Sequence, residues 1–344
     1  MPTNSTPVTT QESKETVLVT GADGMLGSHI CRALLNKGYR VKAMTVPNSR
    51  SRWLLDGLPL EIIEGDILQN ENKLLEYLSG CDYLINTAAL TAVWPRHSEI
   101  VRKVNYDGAL NIAHAAQKAG IKRMVHIGSA STFEGGNAEK LADKNAPFDG
   151  WELDLDYITS KFRAQEALIK MHEESGFPVI IINPTYMIGK YDSGPSSGKM
   201  ILEYYKGNVP GYTNGGKNFV AAADVAAVAV NALQEGRLGQ CYIAGNENLS
   251  YKEFFSKISH VSGIKKKLLH VPNFIMHIYG FISSVFARVF RKKPNISYSM
   301  ALLSLKPQYY SCRKAVDELH MPQTPIDTAI KDCLNWFKEN GYLK

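Results

Sequence analysis

The sequence has few cysteines and no long apolar run. Its five cysteines are widely spaced among 344 residues and form no C-x-x-C pair. This pattern argues against a disulfide framework or a zinc site and predicts a reducing, cytoplasmic location. No apolar stretch matches the roughly 20 residues of a bilayer-spanning helix. Residues 1–14 lack an apolar core, so we expect a disordered tail there and no secretory signal.

Neither sign of charge is concentrated in a dense stripe. There are 39 Lys and Arg against 33 Asp and Glu, which gives a net charge of +6, and the densest basic runs are 265–267 and 291–293. A nucleic-acid-binding protein usually has a concentrated basic stripe with aromatic neighbours. We therefore expect no nucleic-acid partner. Hydrophobic residues make up 44% of the chain, as in a globular protein with a core.

Short apolar runs alternate with helical patterns through the first half of the chain. The runs are 17–20, 41–45, 60–64, 83–87, 123–127 and 178–182, and the intervening helices cover about 25–37, 74–78, 99–119 and 157–174. Strands without polar alternation are buried on both faces, as in parallel sheets. The pattern predicts an α/β fold with a doubly wound parallel (Rossmann) sheet.

The pattern loosens beyond residue 188. Residues 189–218 are rich in Gly, Ser, Pro and Lys and are interpreted as a loop with one helix. A helix at 221–234 and a strand at 241–244 are expected to return to the main sheet, and the rest of the chain is expected to be mostly helical. We predict a dinucleotide domain of 15–188 plus 219–245. Residues 189–218 and 246–344 would form a smaller, mostly helical substrate-binding part.

A glycine-rich turn, TGADGMLG at 20–27, joins the first strand to the first helix. Gly21 permits the tight turn, Gly24 lets the backbone approach a pyrophosphate, and Gly27 lets the helix pack closely on the sheet. The amino terminus of that helix then faces the phosphates. The spacing is G-x-x-G-x-x-G, and its position between a strand and a helix predicts dinucleotide binding.

The second strand lacks the acidic residue that would hold the ribose hydroxyls of NAD. The stretch VKAMTVPNSR at 41–50 contains no carboxylate, whereas Arg50 and Arg52 follow it closely. Guanidinium groups suit a 2′-phosphate, so NADP is the expected cofactor and NAD the alternative. Asp66 and Ile67, after the third strand, are candidates for contact with the adenine edge.

Tyr157 and Lys161 lie four residues apart at the start of a predicted helix and therefore share one face. An ammonium beside a phenol favours phenolate, so we expect a lowered pKa for Tyr157 and a role as general acid and base. Ser129 lies just past the fifth strand and could hold the substrate oxygen beside Tyr157. Ser131 has no nearby base and is expected to make local hydrogen bonds.

Together these motifs resemble the extended short-chain dehydrogenase/reductase superfamily (NAD-dependent epimerase/dehydratase family). The matching segments, spread over about residues 15–343, are TGADGMLG, GDI (65–67), NTAA (86–89), VN (104–105), GSAS (128–131), YITSK (157–161) and NPTYMIG (183–189). Within this superfamily, the chain is most similar to the dihydroflavonol-reductase-like branch. Three segments carry this similarity: ALTAVWPRHSEIVRKVN, NPTYMIGKYDSGPSSGKM and NWFKENGYL.

The resemblance implies a catalytic set of Ser129, Tyr157 and Lys161, with Asn105 as a structural or proton-relay residue. The cofactor-binding residues that it implies, together with those argued above, are Thr20, Gly21, Asp23, Gly24, Met25, Leu26, Gly27, Arg50, Arg52, Asp66, Ile67, Thr87, Ala88, Ala89, Asn105, Tyr157, Lys161 and Pro184. No metal ligand is expected. The chain departs from the branch at Val46, where a basic residue is usual, and at Asn183 and Ala223, where Arg is common.

The expected reaction interconverts a ketone or aldehyde and an alcohol on a hydrophobic molecule, flavonoid-like, steroid-like or lipid-like. Trp94, Trp151, Tyr186 and Met187 are candidates for an apolar pocket lining, or they belong to the core. A nucleotide-sugar epimerase with tightly bound NAD is one alternative. It is less favoured because the 189–223 loop offers lysines but no Arg for a diphosphate. A non-catalytic dinucleotide sensor is the other alternative.

The segment 274–290 has an apolar helical face flanked by the basic residues 291–293. Our first interpretation is a helix packed over the binding pocket. The alternative is a helix lying in a membrane interface with its basic flank towards anionic lipid, so that the protein would be membrane-associated. A homodimer is a further expectation, because proteins of this superfamily often pair through helices of the dinucleotide domain.

Overall fold

A computed structural model describes residues 14–294 and 296–343. In the first half, the strands are β1 (Thr16–Thr20), β2 (Arg40–Thr45), β3 (Glu61–Glu64), β4 (Tyr83–Asn86), β5 (Arg123–Ile127) and β6 (Val179–Pro184). The helices between them are α1 (Met25–Asn36), α2 (Glu71–Leu78), α3 (Glu99–Arg102), α4 (Ala109–Lys118) and α5 (Asp156–Ser175). The predicted tail lies outside the described residues except for Lys14.

In the second half, the short strands are β7 (Tyr186–Ile188), β8 (Gly211–Tyr212), β9 (Gly216–Ala221), β10 (Cys241–Ala244), β11 (Glu247–Ser250), β12 (Leu269–His270) and β13 (Pro307–Gln308). The helices are α6 (Lys199–Lys206), α7 (Ala222–Asn231), α8 (Tyr251–Ser262), α9 (Asn273–Val289), α10 (Tyr298–Leu303), α11 (Arg313–Leu319) and α12 (Ile326–Glu339).

The main sheet has seven parallel strands in the order β10-β6-β5-β4-β1-β2-β3. Its central strands are fully buried because helices cover both faces. One face packs against α1 and α7, through residues such as Ile30 and Val225, and the other packs against α2, α4 and α5, through Ile112 and Leu168. The predicted α/β Rossmann fold is confirmed, with the strand order reversing between β1 and β4.

The helix predicted at 99–119 is continuous but not uniform. A π-helical turn, Lys103–Gly108, separates α3 from α4. A π-turn places one extra residue in the helix and often marks a functional site. Gly108 lies so close to Ile67 that a Cβ would come within 2.6 Å of its Cδ1 atom. The helix is therefore pressed against the loop that follows β3.

The prediction for 189–218, a loop with one helix, is incomplete. Besides α6, this region contributes β8 and the start of β9, and β9 pairs with β7, β11 and β13 in a second, four-stranded sheet. A third core cluster, which includes Ile188, Phe219, Phe254 and Phe337, lies beside this sheet. The strands β7, β8 and β13 have only two or three residues and leave no detectable periodicity, and β9 depends on pairing with such distant short segments.

The interpretation of 274–290 as a helix whose apolar face packs over the pocket is wrong. The helix α9 is present, but its apolar side chains face outward; Phe281 is 61% exposed and Phe286 is 59% exposed. The buried positions are Met276, Gly280 and Ala287. Small residues allow the close approach to α10, so the narrow side of α9 packs inward. None of the helices in residues 14–294 and 296–343 is long and apolar enough to cross a membrane.

Candidate active site

The glycine turn connects β1 to α1 at the carboxyl edge of the main sheet. Gly21 has a positive φ of 62°, and a Cβ on Gly27 would collide with the Gly21 carbonyl oxygen. The first turn of α1, which includes Met25 and Leu26, has Gly24 as its N-cap, without a side-chain cap or an acidic residue. Its amide N–H groups are thus available to an anion, which fits the pyrophosphate of a dinucleotide.

Threonine side chains join the ends of β1 and β4 next to this turn. The Thr20 hydroxyl donates to Asn86 Oδ1 at 2.5 Å and accepts from the Ala88 amide at 3.2 Å. The Thr87 hydroxyl donates to the Thr20 carbonyl at 2.6 Å. Ala89 follows, half-buried, in the same loop. These long-range bonds fix the edge at the point where the strand order reverses, which is where doubly wound sheets bind ligands.

The loop after β2 folds back onto the glycine turn. The buried Asp23 carboxylate accepts hydrogen bonds from the hydroxyls of Ser49 and Ser51. This contact holds the exposed Arg50 near the turn, whereas Arg52 forms an ion pair with Glu64 at the end of β3. Arg52 therefore already has a carboxylate partner, and Arg50 is the better placed of the two arginines to meet a ribose phosphate.

Asp66 and Ile67 lie where β3 ends. The Asp66 carboxylate accepts a hydrogen bond from the Leu68 amide at 2.9 Å, which fixes the turn. Ile67 is buried against the π-turn of the 99–118 helix, whereas Asp66 is half-buried. Asp66 thus lies partly exposed at the carboxyl edge, with Ile67 buried behind it, and their contact with the adenine stays a prediction.

Ser129 and Tyr157 come together although 28 positions separate them. Ser129 begins a short 3₁₀ turn after β5, and its Oγ lies 2.8 Å from Ser131 Oγ. Burial raises the pKa of Tyr157, while an interaction with the Ser129 side chain opposes that rise. The expected lowering of the pKa of Tyr157 is therefore wrong for the protein alone, because burial outweighs the other influences. Ser131 makes the local hydrogen bonds expected of it.

Lys161 is buried one turn beyond Tyr157 on α5. Its ammonium donates to the carbonyl oxygen of Ile127, at the end of β5, at 2.7 Å. Burial lowers the pKa of Lys161 to about 8. The ammonium is thus held at the sheet edge by a backbone carbonyl, with no carboxylate among the described residues bound to it.

Asn105 occupies the π-turn and is almost fully buried. Its side-chain amide makes two hydrogen bonds to the backbone of Leu90, accepting from the amide at 2.8 Å and donating to the carbonyl at 2.9 Å, and it also donates to Ser160 Oγ at 3.3 Å. Asn105 therefore connects the loop after β4 to α5 beside Lys161. These contacts suit a residue that positions α5 relative to the loop after β4.

Sequence reasoning missed a buried amide network beneath Ser129. The side-chain Nδ2 of Asn183, which precedes Pro184 at the end of β6, donates to the Ser129 carbonyl at 3.1 Å and to Gln165 Oε1 at 2.8 Å. The Thr132 hydroxyl also donates to Gln165 Oε1, at 3.0 Å. The available signal was Asn183 itself, a polar residue inside an apolar strand, where the branch commonly has Arg.

The residues predicted to line an apolar substrate pocket lie in different parts of the structure. Trp151 is 52% exposed and packs on Phe148, whereas Tyr186 lies beside the buried Phe219 of the second sheet. Of the four lysines in the 189–223 region, Lys217 is distinctive. Its ammonium lies 5.7 Å from the Tyr186 ring centroid and donates to Gln308, and burial lowers its pKa to about 8.

Trp94 and Met187 are both half-buried. Met187 belongs to β7 and packs against the core cluster under α1 and α7, so it is partly a core residue. Across the two described ranges, no group of three or more His, Cys, Asp or Glu side chains is placed to hold a metal ion.

Comparisons with known proteins identify the family of this chain. The profile of the NAD dependent epimerase/dehydratase family matches residues 17–245. The chain is 30% identical to a Synechocystis protein named "Putative dihydroflavonol 4-reductase", covering 95% of each chain. It is 29% identical to "Sterol demethylase protein B" of Methylococcus capsulatus, covering 95% of this chain and 100% of that one.

A solved structure titled "Crystal structure of gox2253" superposes with a TM-score of 0.84 at 30% identity, covering 96% of this chain and 100% of that one. The family match spans the glycine turn, the Ser129 loop and the Tyr157 helix, and the relatives extend over nearly the whole chain. This chain is a member of the NAD-dependent epimerase/dehydratase family, within the extended short-chain dehydrogenase/reductase superfamily.

Proposed function

We propose that the protein is an NADP-preferring oxidoreductase that interconverts a ketone and a secondary alcohol on a hydrophobic, multi-ring molecule of the sterol or flavonoid type. The observation that carries the proposal is the interaction of Tyr157 with the Ser129 side chain, with Lys161 one turn further along α5 and bound to the Ile127 carbonyl at the carboxyl edge of the sheet. This edge also carries the glycine turn, so a bound dinucleotide and the proton-transfer groups would lie on the same side of the fold.

In the reducing direction, the Tyr157 hydroxyl gives its proton to the carbonyl oxygen of the substrate. The Ser129 hydroxyl donates a hydrogen bond to the same oxygen and orients it for that transfer. The raised pKa of Tyr157 keeps the phenol protonated at neutral pH, as a general acid requires. The charged form of Lys161 favours the phenolate that is left behind.

The bound nicotinamide supplies or accepts the hydride. The residues that would hold the dinucleotide are Gly21, Gly24 and the first turn of α1 at the pyrophosphate, and Arg50 at the adenosine end. Thr87, Ala88, Ala89 and Pro184 would line its path towards Tyr157. The preference for NADP is supported by the absence of an acidic residue at the end of β2 and by the exposed guanidinium of Arg50.

The substrate class is supported by two relatives that cover nearly the whole chain and are named for flavonol and sterol chemistry. Nucleotide-sugar epimerisation is less well supported. Bidentate Arg side chains suit a sugar diphosphate best, whereas the half-buried Lys217 provides a single point charge beside an aromatic ring. A non-catalytic sensor would have no need of a complete Ser129, Tyr157 and Lys161 set.

The test is a panel of 3-ketosteroids, 3β-hydroxysterols, dihydroflavonols and UDP-sugars, assayed with each dinucleotide at 340 nm. We expect stoichiometric oxidation of NADPH, or reduction of NADP⁺, with a ring-containing substrate. We expect Tyr157→Phe to lower turnover by about 10²–10⁴-fold while the affinity for NADPH is unchanged. Epimerisation of a UDP-sugar without net change at 340 nm, or full activity of Tyr157→Phe, would contradict the proposal.

A further inference from the structure

The helix α9 presents a broad apolar surface to the outside. The members of this surface, each at least 44% exposed, are Phe274, Ile275, Ile278, Tyr279, Phe281, Ile282, Val285, Phe286, Val289 and Phe290. Single exposed apolar residues are ordinary in soluble proteins, but a contiguous patch of this kind marks an interaction site. Four phenylalanines on one helix and its end are a large hydrophobic area to leave in water.

The packing of α9 explains why this surface faces outward. On the opposite side, Gly280 lies so close to α10 that a Cβ would come within 2.6 Å of the Ala301 Cβ. Ser284 Oγ accepts a hydrogen bond from the Tyr298 amide at 2.8 Å, and Ala287 is buried. Because the small residues must face α10, the large ones cannot turn inward without separating the two helices.

The charged residues of the sequence interval that contains α9 are all of one sign. The sequence contains no Asp or Glu between Glu253 and Asp317, whereas it contains eleven Lys and Arg in the same interval. The rest of the chain has 28 basic and 33 acidic residues, so the positive net charge of the protein comes from this interval. Arg288, Arg291, Lys292 and Lys293, on and directly after α9, are all exposed.

These charges distinguish between the two main kinds of occupant. A second copy of this chain, packed α9 against α9, would bring together the exposed basic residues on and directly after both helices, and the interval 254–316 supplies no acidic residue to pair with them. An anionic phospholipid bilayer accepts the apolar side chains at the acyl boundary and attracts the basic flank at the headgroups. The length of α9, 17 residues, suits a helix lying in the interface, parallel to the bilayer plane.

We propose that the protein docks on anionic phospholipid bilayers through the apolar surface of α9, with the basic residues that follow it on the headgroups. The dinucleotide domain stays in water in this arrangement. A substrate dissolved in the bilayer would then be close to the protein that acts on it. The docking itself requires no substrate or turnover, so it is tested separately from the proposed function.

The first experiment measures co-sedimentation of the full-length protein with two kinds of vesicle. One kind contains only phosphatidylcholine, and the other also contains roughly 30 mol% of the anionic lipid phosphatidylglycerol. We expect strong binding to the anionic vesicles and at least tenfold weaker binding after Phe281→Ser with Phe286→Ser. The matched control is Ile100→Ser, which removes a 53% exposed apolar side chain from α3 and should leave binding unchanged.

The second experiment tests the charge contribution. Lys292→Gln with Lys293→Gln should weaken vesicle binding by about 30-fold at low salt, since two basic residues near an anionic surface contribute about 1 kcal/mol each and 1.4 kcal/mol is a factor of about ten. The control, Lys118→Gln with Lys170→Gln, removes the same charge from exposed positions on α4 and α5 and should not weaken binding. Raising the salt concentration should weaken the wild type more than the Lys292 and Lys293 variant.

A cooperative urea unfolding transition like that of the wild type shows that each variant is folded, and this control does not depend on the proposed function. Equal binding to neutral and anionic vesicles, or no binding to either, overturns the proposal. It is also overturned if the wild type is a lipid-independent dimer that Phe281→Ser with Phe286→Ser converts to a monomer. That result would assign the surface to a second copy of the chain.

Discussion

The carboxyl edge of the main sheet and the helix α9 differ in which side chains they bury and which they expose. At the sheet edge, buried polar groups find partners far away in the sequence, as in the bonds of Thr20 to Asn86 and of Asn183 to Ser129. In α9, most of the large apolar side chains stay at least 44% exposed, and the helix packs chiefly on its sequence neighbour α10. The comparison shows that burial shapes the first region, whereas the second keeps apolar residues that contribute little to folding.

The largest effect in this comparison is expected from replacing Lys161. Its buried ammonium is proposed to support turnover, but burying this charge lowers the stability of the fold. Lys161→Met should reduce turnover at least about 100-fold. Because burial lowers the pKa of Lys161 to about 8, the unfolded chain binds more protons between about pH 8 and pH 10.4, and stability rises with pH in that window. The variant should therefore be more stable than the wild type at pH 7, by about 1–3 kcal/mol.

This advantage should disappear as the pH rises from about 8 to about 10.4, where the wild-type lysine becomes neutral in both states. Urea unfolding of both proteins at pH 7 and pH 10 measures the difference. The other lysines are common to both proteins and cancel in the comparison. A variant that is less stable at pH 7 would show that the bond to the Ile127 carbonyl outweighs the cost of burying the charge.

Replacing one phenylalanine in a buried core and one on α9 compares how much each region contributes to stability. Phe254 is fully buried in the third core cluster, and Phe281 on α9 is 61% exposed. Phe254→Ala should lower the free energy of unfolding by about 3–5 kcal/mol, because it removes buried apolar area and leaves a cavity. Phe281→Ala should change it by less than about 0.5 kcal/mol. Equal losses in a urea titration would show that α9 is buried in solution, and the comparison would fail.

The Asn183 network predicts a smaller effect that should be specific to the site. Asn183→Leu leaves the buried Gln165 and Thr132 without their shared amide partner, at a cost of about 1–3 kcal/mol. It also frees the Ser129 loop, so kcat should fall about tenfold with little change in the affinity for NADPH.

The matched control for Asn183 is Asn231→Leu, which breaks a hydrogen bond to the Leu319 carbonyl on the far side of the sheet. This control should lose stability but keep its kcat. If the two variants lose kcat equally, Asn183 acts through general stability and does not position Ser129.

The smallest expected effect concerns cofactor choice. Arg50→Gln should reduce the preference for NADPH over NADH several-fold, because Arg50 is exposed beside the glycine turn. Arg52→Gln should change it less, since Arg52 is already paired with Glu64. Fluorescence titration of both variants with both cofactors gives the comparison. If Arg52→Gln reduced the preference for NADPH more than Arg50→Gln does, the ion pair between Arg52 and Glu64 would have to open when the cofactor binds.

The parts of the fold that sequence reasoning found are those with strong local signals. Six apolar runs predicted six parallel strands, and the glycine turn was placed between β1 and α1. The second sheet was missed because its strands are short and depend on pairing with residues up to about 90 positions away, as β9 does with Gln308. Ser129 and Tyr157 were predicted as partners from their positions at the sheet edge, whereas the supporting role of Asn183 was not.

The sequence by itself determined the dinucleotide half, because apolar runs, glycine spacing and the Tyr157-to-Lys161 interval are local properties. Only the tertiary structure decided which way the apolar face of α9 points, since a helical pattern defines a face but not its neighbour. The tertiary structure also decided the protonation behaviour of the site. The pKa of Tyr157 and of Lys161 depends on burial, and burial is produced by elements that are distant in the chain.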